Sequence, residues 1–208
     1  MTFIVTKVIA IFIIIYLSGI SMKKYSFLIV IMILSVIFSR TEAQVIGKVF
    51  PAMNTSTADG IKVNLPIDTH GKFTLLGMAF SKKSEDELNT WIEPVFWKFI
   101  NKPDGKMDQL FGNQSYDVNA YFVPMFTGIK TAATGTAKKQ ALKKMDPRLI
   151  PSILFYQGKL EPYKEALDFQ KKDIPYFFVL DKDGKIIYAT SGIYSEEKMG
   201  EVEELLAD

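Results

Sequence analysis

The nine residues Phe73–Ser81, FTLLGMAFS, constrain the fold more than any other stretch of the chain. They form a near-continuous apolar run of strand length, introduced by the turn signal Gly71-Lys72. A run without polar alternation suits a central strand covered on both faces, not a strand with one face in water. A helix pattern follows at once. Ser84 is the expected N-cap, and Glu87 three residues on completes a capping box. Glu85, Asp86 and Glu87 complement the positive end of the helix dipole. Leu88, Ile92, Val95 and Phe99 recur at helical spacing, and Trp91 and Phe96 widen the stripe. Pro94 lies inside this pattern, removes one backbone donor and is expected to kink the helix.

The rest of the chain continues the alternation of strands and helices. An entry segment, 44–69, offers one short edge strand at Ile61–Leu65. Tyr116–Phe126 alternates and is rich in aromatic and β-branched residues, so it reads as a strand whose far end is limited by Pro124. Thr134–Met145 has helical spacing, with Ala137, Ala141, Leu142 and Met145 inward. Ser152–Tyr156 is a short strand or buried turn, and Pro162–Gln170 a short helix. Tyr176–Leu180 is an apolar strand. Asp181-Lys182-Asp183-Gly184 then makes a hairpin turn with glycine where positive φ is needed. Lys185–Ser191 pairs back, and Ser195 caps a last helix that buries Met199, Val202, Leu205 and Leu206.

The N-terminal region has a different character. Residues 22–43 carry the parts of a signal peptide: Lys23 and Lys24, the apolar segment Phe27–Phe38, and a small residue, Ala43, at the cleavage position. The mature chain is expected to begin at Gln44. Residues 1–21 contain a second apolar run, Phe3–Ile20, either a membrane-spanning segment or, as the complete signal at Met22 favours, sequence upstream of the true start. The expected organisation is therefore 1–21, a signal at 22–43, and one domain at 44–208, exported to a periplasmic or extracellular space. Contact with a membrane is expected only through an uncleaved N-terminal segment.

Four of the 25 basic residues (Lys7, Lys23, Lys24, Arg40) and one of the 23 acidic residues (Glu42) precede Gln44, leaving 21 basic against 22 acidic. That balance lacks the concentrated positive field that nucleic acid requires. The chain has no cysteine, which excludes thiol catalysis, disulfides and thiolate-ligated metal. The 165 residues from Gln44 onward are enough for one core to stabilise without cross-links.

The order strand, helix, strand, helical region, Ile174-Pro175 before YFFVLDKDGKIIYATSG, and a final helix resembles the thioredoxin-like superfamily over positions 45–206. The implied architecture is α/β, a central mixed sheet flanked by helices. The resemblance implies a cis proline at Pro175 and a Cys-x-x-C at the start of the first helix. Two registers place that motif here. One sets the first cysteine on Ser84 and the second on Glu87; the other sets the pair on Ser81 and Ser84, giving S-K-K-S. The capping box favours the first, because the family's nucleophile sits at the helix N-terminus. In either register there is no thiol, so the resemblance implies a redox-inactive member without cofactor. FTLLGMAFS, Trp91-x-x-Pro94 and the long insert before the terminal hairpin are also similar to the assembly factors of mitochondrial ATP synthase, which implies a chaperone-like role.

The expected function is thus a non-catalytic binding or assembly module. Its surface lies between the Ser84 helix start and the Ile174-Pro175 loop, with Ser84, Glu87, Ile174, Pro175 and Tyr176 as binding residues and a protein or extended peptide as partner. The alternatives are an enzyme built on the carboxylates Glu85, Asp86 and Glu87 beside Lys82 and Lys83, or a membrane-tethered structural component of the envelope. Ser84 lacks an oriented base for nucleophilic work. His70, the only histidine, belongs to a turn at the opposite end of the strand and has no partner for a metal. The Asp181–Gly184 turn lacks the later ligands of a calcium loop. Lys130, Lys138, Lys139, Lys143, Lys144 and Arg148 read as a solvated helix face. Phe122, Phe126, Phe155, Tyr156 and Tyr163 read mainly as core.

Overall fold

The computed structural model describes residues 45–101, 116–127, 142 and 145–206. The described residues all belong to one compact unit, 42–208. The expected signal, the upstream apolar run and most of the Thr134–Met145 helix lie outside them.

Seven strands form one mixed sheet. In chain order they are β1 (Met53–Ser56), β2 (Lys62–Leu65), β3 (Thr74–Ala79), β4 (Asn119–Thr127), β5 (Phe155–Gly158), β6 (Tyr176–Leu180) and β7 (Ile186–Ser191). Across the sheet the order is β2-β1-β5-β4-β3-β6-β7. β3 is central and buried at every residue, as its apolar run requires. It pairs in parallel with β4 (Leu76 opposite Tyr121) and antiparallel with β6 (Leu76 opposite Phe178). β4 pairs in parallel with β5, and β6 and β7 form the hairpin that Asp181–Gly184 closes. Gly184 has φ +78°, and its turn packs against Pro66.

Three helices are described: α1 (Lys82–Val95), α2 (Glu161–Ala166) and α3 (Glu196–Leu206). The pleat sends alternate β3 residues to opposite faces. Leu75 and Ala79 pack with Phe177 and Val179 against Leu88, Trp91 and Val95 of α1 and Met199 and Val202 of α3. Leu76 and Met78 pack with Phe178 and Leu180 against Phe50, Met53, Leu167 and Phe169 on the other face. Gly77 lets the first layer close: a Cβ there would stand 2.5 Å from Phe177 Cε1 and 3.1 Å from Leu88 Cδ1. Trp91 locks the same layer, stacking on Phe177 at 4.0 Å and donating from Nε1 to the Gly192 carbonyl at 3.0 Å. Four of the five singled-out aromatics, Phe122, Phe155, Tyr156 and Tyr163, are buried, and Phe126 is half-buried.

Several expectations need correction. The cap of α1 is Ser81, not Ser84: the Ser84 N–H bonds to Ser81 Oγ at 3.1 Å, and Ser84, three residues into the helix, is the other half of the capping box. The helix starts one turn early because the Ser84 hydroxyl turns inward and binds the backbone of the entering chain. Ile174-Pro175 is trans; the cis bond among the described residues is Leu65-Pro66. A trans X-Pro bond is the default unless its surroundings hold the other isomer. The Pro175 carbonyl continues the hairpin ladder, accepting from the Gly192 N–H at 2.9 Å. Pro124 does not end its strand. It stands opposite Ala79, the last residue of β3, so its missing N–H removes at most the final rung, and β4 runs on beside β5.

The entry segment contributes two strands, not one, since β1 lies between β2 and β5. α2 stops at Ala166, and Asp168 takes a left-handed conformation, φ +55°, just beyond it. After Pro94 the chain widens into a π turn, Phe96–Ile100, with the Asn101 N–H bonded five residues back to the Phe96 carbonyl at 2.7 Å.

Candidate functional site

The junction between β3 and α1 is built from backbone amides and two hydroxyls. Ser84 is fully buried. Its Oγ accepts from the Phe80 N–H at 3.1 Å and the Ser81 N–H at 2.9 Å, and donates to the Ser81 carbonyl at 2.9 Å. Ser81 Oγ lies 3.2 Å from Ser84 Oγ and donates to Asp173 Oδ1 at 3.1 Å. That last bond spans 92 residues and ties the start of α1 to the loop before β6. The helix start and the 171–175 loop are therefore brought together.

The individual residues have distinct placements. Ser84 acts from inside the junction. Ile174 is half-buried and Pro175 buried. Tyr176 is buried against Phe169 (4.7 Å between centroids) and stacked on Phe80 (6.1 Å). Its hydroxyl accepts from the Lys171 N–H at 2.7 Å and donates to the Lys171 carbonyl at 3.1 Å. Burial pushes the Tyr176 phenol up, opposed by its bonds to the Lys171 and Gln170 backbone. Glu87 is half-buried, and its carbonyl accepts from the Thr90 hydroxyl at 2.7 Å. The sequence offered Ser81 with Ser84 only as the less favoured register and gave no sign of Asp173 as part of this junction. The i, i+3 serine pair was the available signal, because one helical turn brings such side chains together.

The acidic run does not converge. Asp86 pairs with Lys82 at 2.7 Å, and that bond holds the Lys82 ammonium above its usual value. Glu85 lies on another side of the helix, half-buried, where burial raises its carboxyl against the pull of Lys82. There it borders a cleft of ≈ 250 Å³ between α1, β4 and the β5 approach, walled by Leu88, Ile92, Phe122, Phe126, Ile153 and Phe155. His70 sits beside the Gly184 turn, with Nε2 3.2 Å from where a Gly184 Cβ would be. That is the end of β3 opposite Ser81. Among the described residues no cluster of three or more acidic or histidine side chains forms a metal site, and no helix is long and apolar enough to cross a membrane.

Two solved structures share this architecture. The C-terminal domain of a protein described as a thiol-disulfide oxidoreductase of Bacteroides thetaiotaomicron matches with a TM-score of 0.51 at 16% identity, covering 78% of this chain and 96% of that one. BsSco, a member of the Sco family of cytochrome c oxidase assembly proteins, matches with a TM-score of 0.51 at 10% identity, over 77% of this chain and 95% of that one. No protein-family model matches the sequence, and no curated protein does. The narrower likeness to ATP synthase assembly factors is not among these findings.

The fold is thioredoxin-like. Within that architecture the chain carries Ser81-Lys82-Lys83-Ser84 at the head of α1 and has no cysteine anywhere, so thiol–disulfide exchange lies outside its chemistry.

Proposed function

We propose that this chain is an exported, non-redox binding module that holds a protein or extended peptide at the surface between the start of α1 and the Lys171–Tyr176 loop. The observation that carries the reading is the Ser81–Asp173 hydrogen bond, which sets the two sides of that surface against each other. The hydroxyls at the helix start are spent on the backbone, so the surface offers shape and charge instead of a nucleophile. Export is supported by the basic, apolar and small-residue segments of 22–43.

Site-specific photo-crosslinking tests the binding. A photoreactive residue at Lys172 is expected to give adducts in the native envelope fraction, and one at Ile67, exposed beyond β2, is expected to give none. Equal yields from the two positions would remove the proposed surface. N-terminal sequencing of the native protein tests export separately, with Gln44 as the expected first residue.

A further inference from the structure

The cleft beside α1 has no wall from the 171–176 loop and has its own chemistry. Its ≈ 250 Å³ exceeds the roughly 150 Å³ of a dry cavity that takes up benzene. It falls below the 300–1,000 Å³ typical of sites for drug-sized ligands and cofactors. It therefore fits one aromatic or leucine-sized group. It opens at the carboxyl ends of the parallel pair β3 and β4, where Ala79 stands opposite Pro124. In open α/β sheets the crevice at the carboxyl ends of the strands is where ligands bind.

Charge at the rim selects the occupant further. Lys82 also borders the cleft, but its ammonium is taken by Asp86 at 2.7 Å. Glu85 is half-buried against apolar walls; the Lys82 charge acts on it, but it accepts no hydrogen bond from a described residue. A carboxylate partly removed from water without a donor is unfavourable, and a cationic donor arriving with the ligand corrects that. We infer that the cleft receives one large apolar side chain of a partner polypeptide, with an adjacent lysine or arginine of that partner pairing to Glu85. An apolar anchor in a pocket beside a charged pair is the usual make-up of an interface hot spot.

Methyl NMR on the purified native protein in detergent-free buffer tests this with three probes: N-acetyl-Phe-Lys-amide, N-acetyl-Phe-Glu-amide and octanoate. The Phe-Lys probe is expected to give saturable shifts at the Leu88, Ile92 and Ile153 methyls. The Phe-Glu probe is expected to bind roughly ten-fold more weakly, the scale of one hydrogen bond to a charged group. Glu85→Gln should erase the difference between the dipeptides, and Glu85→Lys should reverse it. Unperturbed methyls elsewhere in the core show that each variant is folded. The inference is overturned if neither dipeptide saturates these methyls, if both bind equally to the wild type, or if octanoate binds more tightly than Phe-Lys. Crosslinking at Lys172 reads the other surface, so either result stands without the other.

Discussion

Replacing Ser84 by alanine is expected to destabilise the domain more than removing the helix cap itself. Ser84 Oγ is the acceptor for two amides, Phe80 N–H at 3.1 Å and Ser81 N–H at 2.9 Å, at a fully buried position. Alanine supplies neither bond. A buried donor left without a partner costs about 1–3 kcal/mol. Phe80 is buried and bears that cost in full, whereas Ser81 is half-exposed and its amide has access to water. The sum is about 2–4 kcal/mol. Ser81→Ala removes an N-cap, worth about 1 kcal/mol. Glu87→Gln touches neither bond and stays within about 0.5 kcal/mol. In urea, with a slope near about 2 kcal/mol/M, Ser84→Ala lowers the midpoint by roughly 1–2 M, Ser81→Ala by roughly 0.5 M, and Glu87→Gln leaves it in place. If Glu87→Gln proved as costly as Ser84→Ala, the capping box would have to be Ser84 with Glu87, and the reasoning from the buried hydroxyl would fail.

Trp91→Phe removes the donor to the Gly192 carbonyl and part of a fully buried ring, at a cost of about 2–4 kcal/mol. Its fluorescence should come from the exposed Trp97 alone and shift to the red, which a spectrum of the folded variant checks. Lys98 bonds both oxygens of Glu203 at 2.7 Å and, with the Tyr116 hydroxyl, holds that carboxyl below its ordinary value of 4.5 against its burial. A carboxyl with a lowered folded pKa adds stability above its unfolded pKa and loses it as pH falls through the folded one. Urea midpoints should therefore drop more between pH 6 and pH 3 in wild type than in Glu203→Gln. The two side chains are 38% and 32% exposed, so the difference is at most about 1 kcal/mol. The 3.2 Å between the Ser81 and Ser84 hydroxyls predicts that Ser81→Cys/Ser84→Cys closes a disulfide in air, read as the loss of two hydrogens by mass.

The legible parts of the fold were those with a local cause. The buried run of β3, the amphipathic stripe of α1, and the β6–turn–β7 hairpin each follow from spacing or from one glycine in a turn. β1 was not legible. Its four residues, MNTS, are mostly polar, and what makes them a strand is pairing with β2 on one edge and with Phe155–Tyr156, about a hundred residues away, on the other. The cap register failed for a related reason. Ser84 with Glu87 satisfies the local pattern, but the position of the helix start depends on which way one hydroxyl points, and that is set by the buried amides of Phe80 and Ser81. The isomer at Pro175 is set by the surroundings of the Ile174-Pro175 bond, which local sequence does not carry. The cleft draws walls from α1, β4 and β5, so no single segment carries its pattern.

The same hydroxyls bear on the recognition role proposed for this domain. A thiol pair at a helix start is useful because the thiolate is weakly held by the backbone and its pKa falls within reach of neutral pH. A hydroxyl in that place is a strong donor and acceptor and does not ionise, so it is drawn into the nearest unsatisfied amides. Ser84 shows this outcome: it binds two entering N–H groups and one carbonyl, and lies fully buried. Oxygen at these positions thus gives a fixed corner of the core where sulfur would give a reactive edge. The Ser81–Asp173 bond links that corner to the 171–175 loop. Rigid, preformed surfaces lose less entropy on binding than mobile ones. Fixed geometry at the junction is in keeping with the proposal that the loop surface and the Glu85 cleft hold a partner.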